Sequence, residues 1–400
     1  MKAVILAAGK GTRMKPLTED TPKPLLNVAG KPIIEHTINR IEDYVEEIVI
    51  VAGYKIEQFE QYSETREDVT IVEQEKALGT ADAALQAKPF IEDKALIMNG
   101  DDLYGEDLEE ILELDTAVLA AEVEDPAKYG VFTVEDDKVT SIEEKPSNPD
   151  SNLVNIGCYL VKESFFELLE NVEKSERGEY EITDALKEYI EKNSLNYRKT
   201  DNWTPCSYPW QLIEANEKLV NEVDRDINGD VASSATVKGR VIIEEDAKIR
   251  ENSVIRGPAI IKENAKVGPN AYIRKGTVIE ENAHIGSSEI KNSVVGESSK
   301  LPHFNYVGDS YIQEDVNLGA GAKTANMRND KKNVSMKVKG NLLDTGRKKL
   351  GTVIASGTKI GVNSSIKPGR KIGRNVATDV NEKITDNISS NSVFKDGEEV

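Results

Sequence analysis

A six-residue beat of aliphatic side chains constrains this chain more than any other feature. From Val231 an aliphatic recurs at Val237, Ile243, Ile249, Ile255, Ile261, Val267, Ile273, Ile279 and Ile285. Two residues before each stands a second, mostly small set: Ala235, Val241, Ala247, Ser253, Ala259, Ala265, Ala271, Thr277 and Ala283. A period of six fits one short strand plus a turn, with one aliphatic on each side of a narrow prism. Such a unit cannot bury its apolar side alone, so neighbouring coils must stack, three units closing a coil of about 18 residues. The beat slips by one at Ile290 and Val295, holds through Leu301 and Val307, and slips again at Ile312 before Leu318. It resumes at Ile354 and runs through Ile360, Ile366 and Ile372.

Ahead of the repeats the chain reads differently. Residues 2–8 form an apolar strand that breaks at GKGTRM, and Pro32–Tyr44 carries Ile33, Ile34, Ile38 and Ile41 at helical spacing. Further strands are expected at EEIVIVAG, Val69–Val72 and Ala95–Met98. Strand, helix, strand at this rhythm predicts a mostly parallel sheet covered by helices, with ligands beyond the strand carboxyl ends. Four hundred residues exceed one core, and two domains are expected, 1–225 and 226–400.

Composition narrows the partners. A net charge of −20 repels nucleic acid and anionic membranes, and neither is expected as a partner. Cys158 and Cys206, with no CxxC, argue against a disulfide framework or a cysteine-based zinc site. The apolar run Val4–Ala8 is too short for a leader or a membrane span, so a cytoplasmic location is expected.

Three features fall at expected strand ends. The loop Gly9-Lys10-Gly11-Thr12-Arg13 exposes backbone N–H groups suited to phosphate oxygens, with Arg13 adding a fork of donors; a tight turn with a surface arginine reads equally well. Lys23, between Pro22 and Pro24, has a stiffened backbone that would aim an ammonium, or is an ordinary loop lysine. Asp101, after ALIMN, suits a Mg²⁺ ligand or a turn-forming acid.

Together with EQEKALGTADA, NGDD, KYGVF, EEKP and VNIGCYL, the opening LAAGKGTRMKPLTEDTPKPL resembles the sugar-1-phosphate nucleotidyltransferase family over residues 1–225. That family joins a sugar-1-phosphate to a nucleoside triphosphate and releases pyrophosphate. The resemblance implies that Gly9, Gly11 and Arg13 grip the triphosphate and that Lys23 neutralises the reacting phosphates. It further implies that Gln74 and Gly79, with Thr80 beside them, read a pyrimidine (UTP or dTTP), and that Asp101 binds Mg²⁺. Gly130, Glu144, Lys145 and Asn155 match its sugar-phosphate pocket. One departure stands out: the family's second metal ligand, in a W-x-D/N pattern, falls on Pro205 after Trp203, leaving Asp201 or phosphate oxygens and water to substitute.

The repeats resemble the left-handed β-helix of hexapeptide acyltransferases, which form trimers. LPHFNYVGDS-YIQEDVNLGAGAKTAN is similar to the acetyltransferase half of the bifunctional enzymes that make UDP-N-acetylglucosamine, in which a histidine deprotonates the amine of glucosamine-1-phosphate. Here that residue is His303. Arg274, Lys291, Tyr306, Asn317, Asn326 and Lys332 match substrate contacts, and Ala320 matches a backbone contact to acetyl-CoA. His36 and His284 read as structural. Around 325–350 the beat yields to Lys331, Lys332, Lys337, Lys339, Arg347, Lys348 and Lys349, a basic arm suited to anions, in a form closer to archaeal relatives.

The expected activity is therefore acetylation of glucosamine-1-phosphate from acetyl-CoA and uridylyl transfer from UTP, by a homotrimer or dimer of trimers. The alternatives are a glucose-1-phosphate uridylyl- or thymidylyltransferase whose β-helix mainly oligomerises, and a scaffold that has lost chemistry. GKGTRM, Lys23 and Asp101 disfavour the scaffold, and the His303–Tyr306 pair disfavours the simpler transferase.

Overall fold

Alternate residues of β1 (Lys2–Leu6) enter two different cores, which is why this strand is apolar throughout. The computed structural model describes all residues from Met1 to Val400. They pack as two units. One holds Met1–Lys10, Pro22–Leu25 and Ile33–Pro205; the other holds Gly11–Thr21, Leu26–Pro32 and Cys206–Val400.

In the first unit, β1 is followed by α1 (Ile33–Ile41), β2 (Glu47–Ala52), α2 (Ile56–Ser63), β3 (Val69–Glu73), α3 (Thr80–Gln86) and β4 (Lys94–Asn99). Then come α4 (Glu109–Leu112), β5 (Ala117–Glu122), β6 (Gly130–Glu135), β7 (Lys138–Glu144), β8 (Leu153–Lys162), α5 (Ser164–Leu169), α6 (Ile182–Lys192) and β9 (Asn196–Lys199). The nine strands form one sheet in the order β3-β2-β1-β4-β8-β5-β9-β7-β6. Val4, Val49, Val51 and Ile97 face α3, α5 and α6, while Ile5, Ile48, Ile50 and Met98 face α1, α2 and α4.

The expectation of a mostly parallel sheet holds for one half only. β1 runs parallel to β2 and β4, and β2 to β3, but β8 is antiparallel to both β4 and β5, and β7 to both β9 and β6. The sheet is mixed because strand directions past residue 110 come from non-local pairing, with no helix crossover between β6 and β7 to force a parallel return. The first strand ends at Leu6, and Pro32 pairs with Asn27 in a short bridge instead of opening α1. No helix is long and apolar enough to cross a membrane.

The second unit is a stack of coils of short parallel strands in three columns. Val241↔Ala259↔Thr277 pair in one column, Lys248↔Lys266↔His284 in the next, and Val254↔Tyr272↔Glu289 in the third. Ile255, Ile261, Val267, Ile273, Ile279 and Ile285 are all fully buried on the stack's axis, and so are Ile290, Val295, Leu301, Val307 and Ile312 across the slips. Each slip shortens one side of a coil without turning its aliphatic outward. The sequence reading missed the turn device: three residues before many of the core aliphatics sits Asn, Asp or Gly with positive φ, as at Asp246, Asn252, Asn264, Asn270, Gly276 and Asn282. Only residues tolerant of that backbone region repeat there at low cost.

One column is apolar on its outer side as well. Ile260, Val278, Val294, Tyr311 and Val353 are buried there. Helix α7 (Pro209–Val220) and the segments 11–21 and 26–32 pack within the same unit, Val220 and Ala29 joining Ile260 and Val278 in one cluster. Polar ties accompany that packing: Tyr311 Oη donates to the Asn27 carbonyl at 2.8 Å, the Gln313 amide to the Leu17 carbonyl at 3.2 Å, and Arg374 pairs with Asp20. The basic arm is a folded element. Ser335–Val338 and Asn341–Asp344 form an antiparallel hairpin that buries Val334, Met336 and Val338 while Lys337 and Lys339 stay exposed.

Candidate active sites

The carboxyl ends of the parallel strands gather the first group of residues. Gly100 N donates to the Leu6 carbonyl at 2.9 Å, Ala7 N to Val51 at 2.8 Å, and Gln74 N to Ala52 at 2.7 Å. Lys23, 7% exposed, extends its ammonium to within 2.5 Å of Asp101 Oδ2 at the end of β4. A side chain at Gly9 would meet no atom within 4 Å, so the backbone there is open to a ligand. Gly11, at φ +56°, accepts from Met14 N and from Thr18 Oγ1, both at 2.9 Å. In the coil unit, exposed Arg13 lies with its guanidinium carbon 5.7 Å from the Tyr208 ring centre, and Tyr208 stacks on Trp210.

Gln74, 5% exposed, donates its amide to the Gly79 carbonyl at 3.1 Å and to Asp82 Oδ2 at 2.7 Å, so its orientation is fixed from within the unit. Gly79 has φ +125°, and a β-carbon there would stand 2.3 Å from the Tyr180 carbonyl oxygen. Thr80, by contrast, spends its hydroxyl accepting from Ile182 N at 3.0 Å. Asp82 was not singled out in the sequence, although it stands eight residues after Gln74 on α3.

Gly130, Glu144 and Asn155 meet one another. A β-carbon at Gly130 would lie 3.1 Å from Glu144 Oε2 and 3.4 Å from Asn155 Cβ. Glu144 pairs with Lys145 at 3.0 Å and with Arg177 at 3.2 Å, and Arg177 reaches Glu181 at 2.8 Å. Asn155 donates to Tyr159 Oη at 2.7 Å and accepts from Gly157 N at 2.9 Å. Lys145 takes φ +49°, an unusual region for a lysine and one met at ligand-binding positions.

For a divalent cation this half supplies one carboxylate at the strand end. Thr204–Pro205 pairs antiparallel with Asp102–Leu103, so Pro205 faces Asp102 through backbone alone. The Asp102 carboxylate accepts from the Trp203 indole at 3.2 Å, and Asp201 is exposed. No group of three His, Cys, Asp or Glu side chains is placed to hold a metal ion. Asp101 alone fits Mg²⁺, which commonly takes one or two carboxylates and completes its shell with phosphate oxygens and water.

The second group is centred on Asp309, 2% exposed and in the left-handed region at φ +50°. Its oxygens accept from Lys291 Nζ at 2.8 and 2.9 Å, from Asn292 at 2.9 Å and from Asn326 at 2.5 Å. Asn326 also donates to Tyr306 Oη at 3.3 Å, and Tyr306 pairs in register with Glu289, which binds Arg274 at 2.8 Å. Burial, helped by the Asp309 and Glu289 charges, raises the Tyr306 phenol above its ordinary range and keeps it neutral. Arg274, Lys291, Tyr306 and Asn326 thus form one network, with Asp309, Glu289 and Asn292 as members that repeat periodicity could not single out.

His303 stands where Lys300–Gly308 turns a corner of the stack, exposed and in register with Ser287. Asn305, buried beside it, fixes the corner: its side chain accepts from His303 N at 3.3 Å and donates to the Gly319 carbonyl at 2.8 Å. Gly321 N donates to the His303 carbonyl at 2.8 Å, which places neighbouring Ala320 one coil further at the same corner. His284 is close enough that burial, then Lys266, His303 and Lys300, depress its imidazole below the usual range. Asn317 and Lys332 are not gathered here: Asn317 is exposed in the column of Lys300 and Lys359, and Lys332 lies in an exposed turn where its N–H bonds Asp330.

Residues 2–222 match the family described as nucleotidyl transferase, and residues 237–335 match that of the GMPPB C-terminal domain. "Bifunctional protein GlmU" of Methanocaldococcus jannaschii is 42% identical over 92% of this chain and 91% of its own length. "Bifunctional sugar-1-phosphate nucleotidylyltransferase/acetyltransferase" of Sulfurisphaera tokodaii is 38% identical over 92% of this chain and 93% of its own. Among solved structures, a putative glucose-1-phosphate thymidylyltransferase from Bacillus anthracis in complex with a sucrose matches at a TM-score of 0.51 and 30% identity. It covers 56% of this chain and 97% of that one.

Proposed function

This chain belongs to the nucleotidyl transferase family, beside archaeal bifunctional nucleotidyltransferase–acetyltransferases, and from that premise we propose how its two residue groups divide the work of making UDP-N-acetylglucosamine. The coil half transfers the acetyl group of acetyl-CoA to glucosamine-1-phosphate. The α/β half then joins N-acetylglucosamine-1-phosphate to UTP and releases pyrophosphate.

For acetyl transfer, His303 accepts a proton from the amine as the nitrogen bonds to the thioester carbon; the carbon–sulfur bond breaks and coenzyme A leaves as the thiol. The Arg274–Glu289–Tyr306–Asn326 network holds the sugar phosphate, and the Ala320 backbone contacts acetyl-CoA. For uridylyl transfer, a phosphate oxygen that is already anionic attacks the α-phosphorus, so positioning and charge neutralisation matter more than a base. Gly9, Gly11, Arg13 and Lys23 hold the triphosphate, Gln74 and Gly79 the pyrimidine, and Gly130, Glu144, Lys145 and Asn155 the sugar phosphate. Mg²⁺, held by Asp101, would neutralise triphosphate charge when bound.

The coils are read as a left-handed β-helix, supported by the six-residue core beat and the recurrent positive-φ turn residue. A homotrimer through that helix is supported by Asn317 and Lys332, which one chain leaves away from His303. The observation that supports the whole reading is His303 exposed at a coil corner, three residues before Tyr306 of a pre-formed hydrogen-bonded network. Purified protein with glucosamine-1-phosphate and acetyl-CoA should release free thiol, and with UTP and N-acetylglucosamine-1-phosphate should release pyrophosphate. Absence of thiol release alongside pyrophosphate release would leave a uridylyltransferase only.

A further inference from the structure

The corner that carries His303 departs from the repeat on both of its sides. Its column of strands runs through Ile249, Val267, Leu301, Leu318 and Ile360. Three residues after the aliphatic, the other coils of this column place Asn252, Asn270, Gly321 and Asn363, all with positive φ. After Leu301 the same place falls to Phe304, at φ +53° and 73% exposed. Left-handed backbone is unfavourable for a bulky side chain and persists only where its surroundings fix it.

The inward side is unusual as well. Four residues after the aliphatic, the column places Ser253, Ala271, Ala322 and Ser364, all buried and small. After Leu301 that place falls to Asn305, equally buried. One coil beyond Ile360 it falls to Glu382, whose carboxylate accepts from Asp396 N at 2.7 Å and Gly397 N at 3.1 Å in the closing turn. A longer polar side chain at this place ties separate pieces of backbone together.

Asn305 does so across three coils. Its Oδ1 accepts from His303 N at 3.3 Å, and its Nδ2 donates to the Gly319 carbonyl at 2.8 Å and the Ala322 carbonyl at 3.4 Å. Its own N–H donates to Ser288 Oγ at 3.1 Å in the preceding coil. The Gly319 and Ala322 carbonyls flank Ala320, and Gly321 N returns to the His303 carbonyl at 2.8 Å. One buried amide therefore sets the backbone of His303 against the backbone around Ala320. Any shift between the two coils would leave part of that amide unpaired in the interior, which is costly. A serine, with one hydroxyl, cannot make all three side-chain bonds.

We propose that Asn305 is a positioning residue for acetyl transfer, holding His303 at a fixed offset from the 319–322 turn so that base and acetyl donor meet. This inference rests on the acetyltransferase reading above and adds to it a residue that touches neither substrate.

The test is Asn305→Ser in the full chain, which restores the residue the repeat itself uses at Ser253 and Ser364. Parent and variant are compared for thiol release across acetyl-CoA and glucosamine-1-phosphate concentrations, for pyrophosphate release, and for melting temperature. The kcat of thiol release should fall at least about tenfold and the KM for acetyl-CoA should rise at least about threefold. The KM for glucosamine-1-phosphate and the rate of pyrophosphate release should stay within about twofold, and the melting temperature within about 4 °C. A second variant, Asn305→Asp, keeps the acceptor for His303 N but turns a carboxylate oxygen toward the Gly319 and Ala322 carbonyls. At pH 8 it should lose thiol release to at least the same extent. Parent-like kcat and KM values in either variant would overturn the proposal. Equal rises in both Michaelis constants, or loss of pyrophosphate release alongside thiol release, would make Asn305 structural only and overturn it too. A parent protein that releases no thiol removes the acetyltransferase reading and this inference together, whereas an active parent with parent-like variants removes the inference alone.

Discussion

Replacing Glu280 with Gln should remove a pH dependence that the fold itself creates. The side chain is 3% exposed on the apolar column, and its Oε1 finds no hydrogen-bond partner. Burial pushes its carboxyl from an ordinary value of 4.5 up to about 7; the Lys262 charge opposes this, and Glu281 and Glu244 add to it. A carboxyl raised in the folded state binds its proton more tightly there than in the unfolded chain. Its stabilisation is therefore complete below pH 4.5 and lost as pH rises through 7. The shift corresponds to about 3.4 kcal/mol in all, of which about 2.5 kcal/mol is lost between pH 5 and pH 8. Gln mimics the neutral acid at every pH, so comparing the two proteins at both pH values cancels packing differences and every other titrating group. Urea unfolding at pH 5 and pH 8 is the assay. The variant should gain about 2.5 kcal/mol relative to the parent on going from pH 5 to pH 8, equivalent to roughly 5–10 °C in melting temperature for a unit of this size. Parallel stability profiles in the two proteins would refute the reasoning.

The other predictions concern the two reactions and their scaffold. His303→Ala should lower thiol release by at least about 100-fold and leave pyrophosphate release within about twofold, measured in the same preparation. Lys23→Ala should do the reverse, since it removes the buried ammonium paired with Asp101. Asp309→Ala leaves Lys291, 12% exposed, without its counter-charge and should cost about 3–5 kcal/mol by urea unfolding. Replacing both, as Asp309→Leu/Lys291→Met, should recover most of that stability but none of the acetyl transfer.

The coil architecture was legible because its core residues lie at fixed intervals along the chain, so periodicity alone finds Ile255 through Ile285. The turn residues were equally visible, Asn252, Asn264, Asn270 and Asn282 among them, but their meaning emerges only with the backbone angle attached. The α/β half was legible as far as β4, where each strand pairs close to its sequence neighbours. Past that point, β8 inserts between β4 and β5, and no local pattern encodes that choice. The site residues followed the same division. Lys23 and Asp101 come together as expected from their places beside strand ends, whereas Asp309 gathers Lys291, Asn292 and Asn326 across successive coils. The acid lies in the VGDS stretch, but nothing in its spacing announces that donors from the coils before and after would converge on it. Asn317 and Lys332, matched by motif alone, remain apart from that network.

The path of the first thirty residues has a practical consequence. The backbone passes from one unit to the other at 10/11, 21/22, 25/26 and 32/33 before settling, and crosses finally at 205/206. A cut at that last junction therefore does not yield two self-sufficient fragments. The piece beginning at Cys206 would lose Met14, Leu17 and Val28, all fully buried, and Asp20, the partner of Arg374. Anyone grafting these coils onto another transferase, or expressing them alone, would have to supply residues 11–32 in trans as a peptide or splice them back by circular permutation.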